Sequence, residues 1–177
     1  MFIHEMTDNE CRSALNQTSV GRLGCALDNQ PYVVPVYFAF DGREIYGFTT
    51  EGRKIEWMRA NPLVCLEIDE RTGPDEWMSV IVFGRYEELP DEPHFKAARA
   101  KAYQLLQQRA MWWEPAYMSN AHREGYHSLV PVFYRIHISR MTGHRATPDI
   151  LGTADTTPLI QKEGWLESIC RHIGMKN

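Results

Sequence analysis

The sequence predicts a mainly β domain, an antiparallel barrel with helices at its periphery. Its 177 residues are enough for one domain with a proper core. Five or six strand-like runs follow one another, and hairpin signals join most of them. Helical segments are few and do not alternate regularly with the strands, so a Rossmann fold is not expected.

The first predicted element is a short helix. Thr7 and Glu10 have the spacing of a capping box, in which the threonine caps the helix and the glutamate reaches back. The helix should run to about Asn16. Three strands should follow, separated by turn signals at residues 28–31 and at Asp41-Gly42. They are residues 20–27, 32–40 and 44–50.

A second helix is expected at residues 53–59, because the Asn61-Pro62 pair is typical of a helix end. Residues 63–69 then predict a fourth strand. After a loop at residues 71–76, residues 77–89 alternate as a long strand that is largely apolar on both sides. Both of its faces should therefore be covered.

The longest helix candidate is residues 94–110, where apolar side chains recur at helical spacing. An irregular aromatic loop is predicted at 111–130 and a final strand at 131–141. We expect one domain over residues 1–147, followed by a C-terminal tail, residues 148–177, that contains a short helix.

Composition excludes several classes of protein. The net charge of −4 argues against a general nucleic-acid binder. No apolar run is long enough to cross a membrane, and the N-terminus lacks the pattern of a signal peptide. A cytoplasmic location is therefore expected. No two of the four cysteines form a CxxC motif, so all four are expected to be reduced thiols.

Residues 49–54, TTEGRK, have the features of a phosphate-binding turn. The two threonines offer hydroxyl donors and Gly52 allows a tight turn. Arg53 and Lys54 bring positive charge to a helix start, where free backbone N–H groups already favour an anion. From this segment alone, solvated basic residues in a first helical turn are an equally good interpretation.

The order of three segments carries a resemblance to a known family. They are VGRLGCALDNQPYVVPVYFAFDG, EIYGFTTEGRKIEWMRANPLVCLEID and WMSVIVFGRYEEL. Together they resemble the pyridoxamine 5′-phosphate oxidase-like superfamily of FMN-binding split barrels, and within it the flavin-nucleotide-binding group that includes nitroimidazole-resistance proteins. The similarity covers about residues 7–146. It implies an antiparallel split β-barrel and a homodimer that holds FMN at the subunit interface.

The resemblance also implies binding residues. In the oxidases, an Arg-Lys pair after a Phe-Thr strand end holds the 5′-phosphate of FMN, and the preceding strand runs along the flavin. The matching positions for the phosphate are Phe48-Thr49 and Arg53-Lys54, to which the turn itself adds Thr50 and Gly52 as candidates. The candidates for the flavin wall are Val34, Pro35, Val36 and Tyr37. Pro35 removes one ladder donor, which is typical of a strand edge or a bulge.

Two further positions are implied on later strands. The oxidases place a glutamine near the flavin where this chain has Ser79, with Trp77 beside it. Trp77 could stack near the flavin or fill the dimer core. Near the end of the last strand the family's Arg-x-His set is reduced to Gly143-His144-Arg145. Arg145 is expected to approach the flavin, while true pyridoxamine phosphate oxidase activity is not expected.

The aromatic loop holds Trp112, Trp113 and Tyr117, which could cover the flavin, line a substrate cavity or close the barrel end. His122 and His127 lie in the same loop, but no third ligand stands at a recognisable spacing, so no metal is expected.

We therefore expect an FMN-dependent oxidoreductase that acts on a small molecule, with a reduced nicotinamide as one candidate electron donor. No motif marks a catalytic side chain; His144 is a candidate proton donor or an ordinary strand-end residue. Two alternatives stay open at this point: a non-catalytic flavin-binding or redox-sensing module, and the same barrel holding haem or a deazaflavin.

Overall fold

The structure is a computed structural model, which describes residues 1–109 and 131–149. The strands are β1 (Phe2–Glu5), β2 (Val20–Leu27), β3 (Gln30–Phe40), β4 (Glu44–Thr50), β5 (Leu63–Arg71), β6 (Trp77–Glu88) and β7 (Pro131–Thr147). The helices are α1 (Asp8–Gln17), α2 (Arg53–Ala60) and α3 (Lys96–Gln107), and a 3-10 turn at Pro93–Phe95 precedes α3.

One antiparallel sheet contains all seven strands in the order β1-β7-β4-β3-β2-β5-β6. Strand β6 also pairs with β7 along its whole length, from Trp77 to Glu88. This pairing closes six strands into a ring, and β1 lies outside the ring on the edge of β7. The predicted antiparallel barrel is confirmed.

The interior of the ring is apolar. Inward residues of adjacent strands form rows, such as Leu23 opposite both Val34 and Leu66. Gly47 allows an unusually close approach, because a Cβ there would lie 2.1 Å from the Tyr134 ring. The core also contains these fully or nearly fully buried side chains: Leu15, Phe38, Ile45, Ile55, Met58, Ile68, Val80 and Ile136.

Two strand assignments from the sequence are wrong. Strand β1 was not predicted, and β7 continues to Thr147 instead of ending at Met141. The extension, TGHRAT, is polar and lacks the expected alternation. It is held on both sides, because β1 pairs with it along one edge and the start of β6 along the other. Long-range pairing therefore overrides local propensity here.

The helices agree well with the sequence. Thr7 and Glu10 form the complete capping box at the start of α1. Helix α3 begins at Lys96 rather than at residue 94, after the 3-10 turn. Cys11, Cys25 and Cys65 are free thiols, as expected, and Cys170 lies outside the described residues. No helix in the described ranges is long and apolar enough to cross a bilayer.

Candidate functional site

The barrel wall opens between β3 and β4. Although β3 spans Gln30–Phe40, its recorded pairing with β4 covers only Phe38 to Phe40, opposite Gly47 to Ile45. An extended register would place Pro35 opposite Thr50. Proline has no N–H to donate, so the ladder cannot continue through that pair.

The direction of the backbone groups explains why Pro35 is tolerated. The N–H of Phe38 donates to Ser19 O at 3.0 Å, so alternate residues of β3 face β2. Pro35 belongs to the other set, which faces the opening. Its missing donor therefore removes no bond to β2, and Pro35 lies at a local strand edge, one of the two situations that the sequence indicated.

Helix α2 begins at this opening, directly after β4. Its N-cap, Gly52, has φ 155° and ψ −178°, a conformation that side chains rarely adopt. Gly52 makes no side-chain capping bond, and its carbonyl accepts from the N–H groups of Ile55 and Glu56. In the part of the chain that the structure describes, no recorded hydrogen bond uses the N–H of Arg53 or Lys54. The helix start is therefore open to an anion.

Lys54 is a half-buried cation that has no carboxylate partner in the described part of the chain. Burial lowers the pKa of Lys54. Burial in turn raises the pKa of the Cys25 thiol, which therefore stays neutral and supplies no counter-charge. Among residues 1–109 and 131–149 no salt bridge to Lys54 is recorded. A half-buried positive charge without a counter-charge favours the binding of an anion.

Arg53, the first residue of α2, is exposed and lies against an aromatic pair. Its guanidinium carbon is 5.8 Å from the centroid of the Tyr32 ring. Tyr32 and Trp57 pack together with ring centroids 5.5 Å apart and planes at 60°. Tyr32 enters from the start of β3 and Trp57 from one turn further along α2.

The two threonines end β4 beside the same opening. Thr49 and Thr50 pair with Val132 and Pro131 of β7, so their strand is fixed on that side. The Thr49 hydroxyl donates to Thr50 O at 3.4 Å, a weak bond that an acceptor with better geometry could replace. We call the group Thr49, Thr50, Gly52, Arg53 and Lys54 the cradle.

The predicted flavin wall on β3 borders the same opening. Val36 is buried in the barrel core and Val34 packs against it, so both side chains face inward. Pro35 is exposed, and Tyr37 is buried. These positions could therefore meet a ligand mainly through Pro35 and through backbone groups. The structure brings this wall and the cradle together.

The other three predicted site residues lie away from the cradle: Trp77, Ser79 and Arg145. Trp77 and Arg145 line one cleft of about 210 Å³, together with Glu70, Thr72, Glu76 and Met78. The Ser79 hydroxyl donates to Glu67 Oε1 at 3.5 Å. Within the ring, β6 is three strands from β3 in either direction, through β2 and β5 or through β4 and β7. One barrel therefore does not bring these residues to the cradle.

Arg145 carries a polar atom without a partner. Its Nε is buried and makes no hydrogen bond to any residue that the structure describes, and the same holds for Nδ1 of His4, the residue opposite it on β1. Sequence reasoning missed His4 altogether. The signal was weak, because β1 is short and pairs with a strand about 140 residues further along the chain. His144, the other candidate at this strand end, is exposed.

A charged network that the sequence did not predict lies at the opposite end of β4. His137 contacts Glu44 at 2.7 Å through Nδ1 and Glu87 at 2.9 Å through Nε2. Arg135 bonds to both carboxylates. Burial raises the pKa of Glu87, but the bonds from Arg135 and His137 outweigh it and hold that pKa below its usual value.

No group of three metal-ligating side chains is found in the described ranges. The candidates His122 and His127 lie outside these ranges, as do Trp112, Trp113 and Tyr117. The expectations for that loop therefore remain predictions.

Comparison with known proteins identifies the class. The model of the pyridoxamine 5′-phosphate oxidase family matches residues 7–145. The chain therefore belongs to this family, and the resemblance drawn from its sequence is confirmed.

Three individual proteins are similar to this chain over most of its length. An uncharacterized protein of Rhizobium meliloti is 37% identical over 146 residues, which are 82% of this chain and 97% of that protein. The crystal structure of an FAD-binding protein from Mesorhizobium loti is 40% identical, with a TM-score of 0.68, over 84% of this chain and 99% of that chain. The FAD-binding protein from Mycobacterium smegmatis is 23% identical, with a TM-score of 0.59, over 81% and 100%, and shows the fold alone.

Proposed function

We propose that this protein binds a flavin nucleotide through its FMN portion, and that it is a flavin-dependent oxidoreductase acting on a small molecule. The observation that carries the proposal is the unpaired, half-buried Lys54 at the open start of α2, next to the gap between β3 and β4. The family and the Mesorhizobium loti relative described as FAD-binding support a flavin. The 5′-phosphate next to the ribityl chain is common to FMN and FAD.

The residues present fit this phosphate. The half-buried Lys54 and the exposed Arg53 would both supply positive charge to the phosphate. The two free N–H groups of the first turn would donate to the phosphate oxygens. Thr49 and Thr50 add hydroxyl donors at the strand end. Gly52 keeps the approach clear, because nothing lies within 4 Å of where its Cβ would be.

A second copy of the chain would complete the site. Trp77, Ser79 and Arg145 lie on the far side of the ring from the cradle, so only those of a neighbouring barrel could approach it. A two-fold dimer would place the cradle of each copy against β6 and β7 of the other, and would form two equal sites. The unpartnered Arg145 Nε supports this arrangement, because it offers a buried donor.

The roles of the protein groups follow from their chemistry. A bound flavin supplies reversible hydride or two-electron transfer. Arg53 and Lys54 would hold it by the phosphate, and the β3 edge at Pro35 would lie along it. From the second copy, the Ser79 hydroxyl could donate a hydrogen bond and Arg145 could stabilise negative charge. No side chain is assigned a proton-transfer role.

The first experiment tests the cofactor. Purify the protein natively, record its visible spectrum, and identify the released small molecule by mass. Flavin absorption, or uptake of added FMN or FAD, is expected. A Soret band would instead indicate haem, and absence of both signals would overturn the proposal.

The second experiment tests the cradle. Arg53→Ala with Lys54→Ala should weaken FMN binding at least about tenfold, because charge-assisted hydrogen bonds contribute about 1.5–3 kcal/mol each. Riboflavin, which lacks the phosphate, is the control ligand and should bind the wild type and the variant equally. Unchanged FMN affinity would remove the phosphate from the cradle.

The third experiment tests the shared site. Lys54→Ala and Arg145→Ala should each lose flavin affinity, whereas an equal mixture, unfolded and refolded together, should regain some tight sites. Heterodimers then combine one intact cradle with one intact Arg145. A refolded mixture that binds flavin no more tightly than either variant alone would contradict the two-copy site. Turnover of a reduced nicotinamide by the loaded protein would support the oxidoreductase assignment.

A further inference from the structure

We propose that the preferred flavin is the dinucleotide, and that Tyr32, Trp57 and Arg53 form the subsite for its adenylate half. This inference rests on the flavin binding proposed above and adds a location for the part of FAD that FMN lacks. We call Tyr32 and Trp57 the aromatic pair.

The aromatic pair continues directly from the cradle. Arg53 and Trp57 are four residues apart on α2, so they share one face of the helix with Cβ atoms about 6 Å apart. The Arg53 guanidinium lies 5.8 Å from the Tyr32 ring, and the Tyr32 ring lies 5.5 Å from that of Trp57. A ligand that leaves the cradle along this face therefore meets a cation first and an aromatic surface next.

Charge favours a second phosphate at this point. No ion pair of Arg53 is recorded within residues 1–109 and 131–149, whereas Arg59 on the same helix binds the carboxylates of both Glu51 and Glu88. Glu51 stands directly before Gly52, and Arg59 engages both of its oxygens, at 2.9 and 2.8 Å. Arg59 thus offsets the nearest negative charge, while Arg53 remains available to an incoming anion.

Both rings of the aromatic pair pack against the barrel core and are only partly buried, so each keeps an exposed area next to Arg53. A purine base buries apolar area on such a surface and can stack on either ring. FMN ends at its phosphate and would leave this surface uncovered.

The test compares two ligands on matched variants. Titrate FMN and FAD by calorimetry into the wild type, Tyr32→Leu, Trp57→Leu and the control Tyr103→Leu, an exposed tyrosine on α3 that is distant in sequence from the cradle. Leucine keeps apolar volume but removes the flat ring face. FAD should bind the wild type at least about tenfold more tightly than FMN, in keeping with the usual contribution of one stacked base.

Tyr32→Leu or Trp57→Leu should remove most of the FAD preference and leave FMN affinity within about twofold. Thermal unfolding should show that each variant is folded at the titration temperature, with some loss of stability relative to Tyr103→Leu, because both rings pack against the core. Adenosine gives a check that needs no variant, since it should weaken FAD binding and leave FMN binding unchanged. Equal affinities of the wild type for the two nucleotides, or equal losses of both in the variants, would overturn the adenylate subsite while flavin binding stands. Binding of neither nucleotide would overturn the flavin assignment itself, and this inference with it.

Discussion

Helices α1 and α2 have ten and eight residues, yet their first turns are completed differently. At α1, Thr7 and Glu10 bond to each other's backbone, and the Thr7 N–H donates to Glu10 Oε2 at 2.8 Å. At α2, Gly52 offers no side chain and the N–H groups of Arg53 and Lys54 have no recorded partner in the described chain. The second residue after the N-cap, position N2, is Asn9 in α1 and Lys54 in α2.

The difference shows what an open helix start needs in order to become a binding site. Every helix begins with free donors, and α1 satisfies them within its own sequence. Helix α2 leaves them open, places a half-buried cation among them, and begins at a gap in the barrel wall. The open start, the buried charge and the gap together favour a phosphate, and none of them would do so alone.

The largest expected effect is at position N2. Lys54→Ala should weaken FMN or FAD binding about tenfold, because it removes one charge-assisted hydrogen bond to the phosphate. The matched change, Asn9→Ala at N2 of α1, should leave flavin affinity unchanged. Fluorescence titration of both variants measures the contrast. A similar loss in both would mean that the variants act through stability and not through the cradle.

Gly52→Ala should have the next largest effect. Nothing obstructs a Cβ there, so the cost comes from φ 155°, and it should be about 1–3 kcal/mol. Urea unfolding measures this cost, and flavin affinity should fall as the first turn shifts. Gly73→Ala is the control, because its nearest neighbour would be 3.8 Å away and it has no positive φ. Equal stability of the two variants would show that the α2 start tolerates a side chain.

Thr7→Ala tests the closed helix start. Loss of the capping box should lower the free energy of unfolding by about 1 kcal/mol, the usual value for an N-cap threonine. Flavin affinity, measured well below the unfolding midpoint, should not change. A loss of affinity without a loss of stability would contradict the division of roles between the two helices.

The sequence predicts these two helix starts for the same reason: both are local. Thr7 and Glu10 are three residues apart, and the cradle lies within residues 49–54. Short-range geometry therefore determines them, and a pattern of residue types is enough to find them.

Pro35 by itself indicated a strand edge or a bulge, but the location of the gap and the unpartnered atoms of His4 and Arg145 could not be found in this way. The gap depends on the β3–β4 register, in which Pro35 would fall opposite Thr50. His4 and Arg145 meet only because β1 pairs with the polar end of β7. The sequence indicates residue types at these positions, but it does not indicate which distant strand lies beside them.

The pH dependence of binding should separate the phosphate from the rest of the flavin. Burial lowers the pKa of Lys54, so the folded protein without ligand binds this proton less tightly than the unfolded chain does. The free energy of unfolding should therefore rise as the pH approaches the ordinary lysine pKa. A bound phosphate favours the charged form, so affinity for FMN should fall as pH rises through the Lys54 pKa. As the pH rises toward the ordinary lysine pKa of about 10.5, we expect FMN to lose affinity a few-fold relative to riboflavin, which lacks the phosphate. A constant ratio in the wild type, or the same fall in Lys54→Ala, would contradict the role of Lys54.

The smallest expected effect distinguishes two glutamates in the two first turns. Glu56 is exposed and no bond to a helix start is recorded for it in the described chain, so its charge should repel a phosphate in the cradle. Glu56→Gln should therefore raise FMN affinity by up to about twofold at low salt, an effect that salt should screen. Glu10→Gln should instead lower stability and leave FMN affinity unchanged, because Glu10 accepts from the Thr7 N–H and these bonds hold its pKa below the usual value. If Glu56→Gln leaves affinity unchanged at low salt, the phosphate lies outside the electrostatic range of the first turn of α2, and the cradle assignment is wrong.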